Sequence, residues 1–94
     1  MVSSIDELGY IYDAAKTLMN EREKDYEGSW RDEGLGSAVG ALYKKGSQVK
    51  TMYENGRLIE NLPRSKEDCL DLMNYSAMVF RFLHLKENGS EISP

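Results

Sequence analysis

The chain is poor in the residues that most often announce chemistry. One cysteine, Cys69, and one histidine, His84, stand among 94 residues. A single cysteine excludes an internal disulfide, and with no CxxC pair or His-rich neighbourhood it gives no structural zinc signature. One histidine leaves no imidazole cluster and no spare histidine for a Ser-His or Cys-His relay. Both residues read as ordinary: Cys69 as a core side chain, since cysteine is among the most buried types, and His84 as a helix flank. Basic charge is also short. Twelve Lys+Arg against 16 Asp+Glu leave a net charge of −4. That argues against a general coat for DNA or RNA, though not against one small nucleotide held by local cations. No apolar run nears the roughly 18–20 residues of a membrane span. The stretch "MVSSIDELGYIYDAAK" has no basic region leading into an apolar one, so no secretory leader and no membrane partner are expected. A cytoplasmic protein is the expectation. No internal repeat, low-complexity segment or linker divides the chain, and its length suits a single domain, residues 1–94.

What is present is helical periodicity. Leu8, Ile11, Tyr12, Ala15, Leu18, Met19 and Tyr26 recur at helical spacing behind Ser4-x-x-Glu7, which matches a capping box. This predicts a helix over about 5–26, broken at Gly28. Leu35, Val39, Leu42, Val49, Met52 and Tyr53 predict a second over 35–55, ended by Asn55-Gly56. Gly36, Gly40 and Gly46 inside it suggest close approach by a backbone or ligand, or simple tolerance. Pro63 blocks a helix before it, and Ser65-x-x-Asp68 predicts a third over 66–87, capped by Asn88-Gly89 and followed by a frayed tail over 89–94. This third helix is apolar on several faces, the pattern of a buried helix. Two partner helices in one chain do not surround it. The expectation is an all-α, three-helix single domain whose bundle is completed by homo-oligomerisation, with Met78, Phe80 and Phe82 at the interface.

Chemistry concentrates around "EKDYEGSWRDEG", from Glu23 to Gly34. Tyr26 and Trp30 offer rings, Lys24 and Arg31 offer cations, and Gly28 and Ser29 lie between them. A ring to stack a base and cations for phosphates are the minimum kit for a nucleotide. Lys44, Lys45, Lys50 and Arg57 add cations in and just after the second helix. On the third, Asp71, Asn74 and Tyr75 interrupt an apolar surface and need partners. One reading lines a ligand pocket with them. The other makes Asp71 an internal clamp on Arg31 or Lys24 and Trp30 a core plug. Under the clamp reading Asp71→Ala is more damaging than Asp68→Ala, since Asp68 falls at the cap. No catalytic residue stands out. If a metal were held, Asp68 and Asp71 would hold it, but the paired acids that magnesium chemistry needs are replaced in the middle helix by Lys44, Lys45, Gln48 and Lys50.

The stretches "EREKDYEGSWRD", "ALYKKGSQVKTM" and "EDCLDLMNYSAMVFRFL" resemble a small helical family, the nucleotide modification associated domain type 1. The resemblance covers about Glu21 to Leu83. It carries over to Lys24, Asp25, Tyr26, Ser29, Trp30, Arg31, Lys44 or Lys45, Asp71, Asn74 and Tyr75. Glu27 departs from it, standing where glycine would follow the tyrosine directly. The family is phage-associated, so the resemblance implies a nucleotide context in a bacterial host rather than a defined reaction. Helical pyrophosphatases resembling MazG are more distant, and their acidic signature is incomplete here.

Three functions follow as expectations. The first is a non-catalytic, cofactor-free protein that captures a nucleotide or cyclic oligonucleotide, as small phage proteins that sequester nucleotide immune signals do; that link is an analogy of size and helical character. The second is a magnesium-dependent nucleotide pyrophosphohydrolase or an accessory of nucleotide modification. The third is a helical protein-interaction module.

Overall fold

The computed structural model describes residues 3–26, 29–92 and 94, with the side chains of Asp25 and Tyr26 set aside. The described residues are all-helical. They form α1 (Ser4–Tyr26), α2 (Trp30–Glu33), α3 (Leu35–Glu54) and α4 (Leu62–Glu87). The helix count therefore differs from the three predicted. Part of the stretch between the first two predicted helices winds into the single turn of α2, and Gly34 then separates it from α3. Gly34 is buried with φ 93° and ψ 176°, a conformation that side chains with a Cβ avoid. Glu27 and Gly28, the predicted breaker, lie outside the described residues.

Local capping fixes the helix ends. At α1 the capping serine is Ser3, one residue before the one predicted. Its Oγ accepts from the Asp6 amide at 3.1 Å and donates to Asp6 Oδ2 at 2.8 Å. α3 and α4 both stop at Asn-Gly. The amides of Gly56 and Arg57 donate to Tyr53 and Met52 carbonyls, and those of Gly89 and Ser90 to Lys86 and Leu85. The two glycines have φ of 69° and 86°, the left-handed conformation this double cap requires.

α4 begins four residues earlier than predicted. Pro63 does not block it, because it falls in the first turn, where a missing N–H costs nothing. Asn61 is the cap, its Oδ1 accepting from the Arg64 amide at 3.3 Å. Ser65 is buried and donates to the Leu58 carbonyl at 2.6 Å, tying down the connection from α3. Asp68, expected at the cap, is buried a full turn inside α4. Nor is the tail simply frayed: the Gly36 amide donates to the Pro94 carbonyl, which stands where a Cβ on Gly36 would collide.

α4 is the centre of the architecture. It packs along both α1 and α3, which hardly touch one another. Contacts of Ala15 with Asn74 and of Arg22 with Glu67 set α1 antiparallel to α4. The Lys45–Asp68 pair and the packing of Gly46 against Leu72 set the register of α3. Among the described residues the buried apolar side chains are Ala15, Ala38 and Phe82. Phe82 meets the edge of Trp30 with ring centroids 6.1 Å apart, so it is an internal residue of the chain and not the interface residue predicted. Met78 is half-buried, Phe80 is exposed, and Cys69 is exposed where a core position was expected. The arrangement is open. The radius of gyration is 14.9 Å, against about 12.4 Å for a compact chain of this length.

Candidate ligand-binding cleft

Because α1 and α3 stand apart over α4, a cleft opens between them. It has a volume of about 280 Å³. Met19, Arg22 and Glu23 form one wall, Ser37, Ala38 and Ala41 the other, and Asp71, Asn74, Tyr75 and Met78 the floor. Ser29, Trp30 and Glu33 close one end. A second, more polar hollow adjoins it and shares Arg22, Asp71 and Tyr75; there Lys45 and Arg64 face Glu67 and Asp68.

The floor is organised by charge. Lys45 Nζ lies 3.2 Å from Asp68 Oδ1 and 3.5 Å from Asp71 Oδ2. Burial pushes the Lys45 ammonium down, but the hydrogen bond and charge of Asp68, joined by Asp71, outweigh it and hold its pKa above the ordinary lysine value. Arg22 reaches Glu67 at 2.9 Å and Asp71 at 3.8 Å. Asp71 therefore lies beside Lys45 and Arg22, not beside Arg31 or Lys24, the partners expected for it as a clamp. Asn74 Nδ2 donates to the Ala15 carbonyl at 3.0 Å, fastening α4 to α1. Asp68 and Asp71, the two carboxylates weighed as metal ligands, are both engaged by Lys45. Among the described residues no group of three or more His, Cys, Asp or Glu gathers as a metal cluster.

Trp30 has a mixed environment. The Arg31 and Arg81 guanidinium carbons lie 5.2 and 5.4 Å from its ring centroid, within cation–π range. Its Nε1 is buried with no partner among the described residues. The indole is therefore both a packing group, through Phe82, and a wall of the cleft. Arg31 Nη2 sits 3.1 Å from Glu23 Oε1; the two are close enough to pair, but their angle makes no directed hydrogen bond.

Of the residues singled out in the sequence, Ser29, Trp30, Asp71, Asn74 and Tyr75 converge on the cleft, and Lys45 lies in the adjoining hollow. Lys24, Arg31 and Lys44 are exposed and line neither. The Tyr26 side chain lies outside the described residues. The sequence reading missed Arg22, Glu23, Ser37 and Ala38. Arg22 had a usable signal, since it continues the helical stripe of Ala15 and Met19 by seven and three residues. No protein-family model, curated protein or solved structure matches the chain.

Proposed function

We propose that the protein is a homo-oligomeric nucleotide-binding protein that captures a nucleotide or cyclic oligonucleotide without hydrolysing it. The observation that carries this reading is the pairing of the two hollows. One is largely apolar, walled by Trp30 and floored by Tyr75 and Met78; the other is polar and holds Arg22, Lys45 and Arg64. A nucleotide has the same division, a flat base joined to charged phosphates. The apolar cleft is close to the lower end of ligand-pocket volumes, about 300 Å³. Arg22 is the cation that both hollows share, and its pairing is weak enough to yield to a ligand. Its pair with Glu67 joins two side chains that are each about half exposed, and such pairs contribute little. A phosphate can take over that guanidinium with a charge-assisted, two-pronged bond. Lys45, held by two carboxylates, supplies field rather than a free donor.

The resemblance to the nucleotide modification associated domain supports the same ligand class. On that resemblance alone, the setting is a phage protein in a bacterial cytoplasm; an immune signal as the ligand rests only on the analogy of size and helical character to small sequestering phage proteins. The second reading, a magnesium-dependent pyrophosphohydrolase, draws on Glu67, Asp68 and Asp71 lying together in the polar hollow, where a cation could displace Lys45 and Arg22. A thermal-shift panel of nucleoside mono- and triphosphates and cyclic dinucleotides separates the two. Stabilisation without magnesium supports capture. Stabilisation only with magnesium, with pyrophosphate released, supports hydrolysis. No stabilisation by any of them leaves the interaction-module reading.

A further inference from the structure

We infer that Glu23 makes the cleft selective for guanine over adenine, by accepting hydrogen bonds from the edge of a base held beside Trp30. This rests on the ligand reading above and names the base. Glu23 Oε1 and Trp30 Nε1 are buried side-chain atoms with no hydrogen-bond partner among the described residues. Both residues line the apolar cleft, and Arg31 stands against both. Its Nη2 lies 3.1 Å from Glu23 Oε1, and its guanidinium carbon lies 5.2 Å from the Trp30 ring centroid. One region of the cleft wall therefore holds an acceptor and a donor, neither with a directed bond. Buried polar groups are almost always paired, and one left over calls for a reason. A ligand that supplies both partners is such a reason.

The neighbouring residue orients the nucleotide. Arg22 is one step along α1, about 100° round the helix, and reaches Glu67 and Asp71, which line the polar hollow. Phosphates drawn to Arg22 leave the base in the apolar cleft, with the edge farthest from the ribose toward Glu23 and Trp30. That edge distinguishes the bases. A carboxylate accepts and does not donate, and its two oxygens can take two parallel bonds. Guanine presents two adjacent donors, N1–H and the 2-amino group, and then an acceptor, O6. The donors suit Glu23, and O6 suits the Trp30 N–H. Adenine presents one donor, its 6-amino group, beside the N1 lone pair, which the second carboxylate oxygen repels. Cytosine has the same defect at N3, and uracil flanks its one N–H with two carbonyls. Arg31 does not stand in the way, since a carboxylate has about four lone-pair sites and the Arg31 approach to Oε1 makes no directed bond. The Glu23 side chain also keeps 35% exposure, so it is not sealed from a ligand.

Titration calorimetry on the full chain with GMP, IMP and AMP tests this, because the three share ribose and phosphate and differ only in the base. GMP should bind tightest and AMP about tenfold or more weaker, the discrimination that one two-pronged base contact gives. IMP keeps N1–H and O6 but lacks the 2-amino group, and it should fall between them. Glu23→Gln replaces one acceptor with a donor, which suits the 6-amino group and N1 of adenine. It should weaken GMP about tenfold or more and leave AMP as tight or tighter. Equal affinities of the wild type for GMP and AMP overturn the inference and leave the ligand reading standing. A folded Glu23→Gln variant that loses GMP and AMP alike does the same, since it marks a structural role. If that variant does not fold, the wild-type order of the three nucleotides decides. Binding of none of them also overturns the inference, and cyclic di-AMP titrated alongside then shows whether the ligand reading survives.

Discussion

Replacing Asp68 with asparagine keeps the shape of the side chain and removes its charge. Asp68 is 8% exposed, and its partner Lys45 is 19% exposed. Removing one member of a fully buried pair costs about 3–5 kcal/mol, because the other charge is left uncompensated. Two features reduce that figure here: Lys45 keeps Asp71 at 3.5 Å, and its ammonium retains some access to water. Asp68→Asn should therefore destabilise the protein by about 2 kcal/mol, lowering Tm by about 8–16 °C for a chain of this size. Asp71→Asn should cost less, since its partners stand farther off, at 3.5 and 3.8 Å. This reverses the order expected from the sequence, where Asp68 was a cap. Thermal and urea denaturation followed by circular dichroism at pH 7, at one protein concentration, measures both. An Asp68→Asn variant within about 0.5 kcal/mol of wild type, the usual range of an ordinary surface change, would refute the weight given to the buried Asp68–Lys45 pair, as would a larger loss for Asp71→Asn.

Three further outcomes follow from the same contacts. Lys45 has a raised pKa in the fold, so its contribution is fully present below its unfolded value of about 10.4 and is lost as pH rises through the higher folded value. The stability difference between wild type and Lys45→Met should stay constant from neutral pH to about pH 10 and shrink above it; a difference that shrinks on acidification in the neutral range contradicts this. Asn74→Ala removes the bond to the Ala15 carbonyl and should cost about 1 kcal/mol, with amide exchange accelerating in α1 more than in α3; equal acceleration in both helices would count against a fastening role. Arg22→Ala should change stability by less than about 1 kcal/mol, as exposed pairs do, yet weaken nucleotide binding about tenfold or more by calorimetry; an unchanged affinity removes Arg22 from the site.

The sequence exposes what is local. The all-helical class follows from the spacing of apolar residues, and Asn55-Gly56 and Asn88-Gly89 mark helix ends because the glycine conformation is dictated within five residues. Where local and distant forces compete, the reading errs. Ser65-x-x-Asp68 has the form of a cap, but Ser65 is taken by Leu58 seven residues before it and Asp68 by Lys45 on another helix. Pro63 looks like a barrier because its place in the first turn depends on Asn61 capping ahead of it. Trp30, Asn74 and Tyr75 were visible as residues out of keeping with their surroundings, and they do share a cleft. Arg22 is easily passed over, because a charged residue between two glutamates on a helix has the pattern of a solvated face, although its spacing from Ala15 and Met19 places it on the stripe that meets α4. Its role depends on the register of α1 against α4, which no short motif encodes.

Trp30 is the only tryptophan in the chain, and it forms a wall of the cleft, so its emission reports directly on whether the cleft takes a nucleotide. The most direct measurement is a fluorescence titration of the protein with ATP, GTP, AMP and cyclic di-AMP, each with and without magnesium. The account predicts a saturable change in Trp30 emission for at least one of them in the micromolar range without magnesium, and its loss in Arg22→Ala. Emission that stays flat for all four to millimolar concentration, in protein shown to be folded, would contradict it.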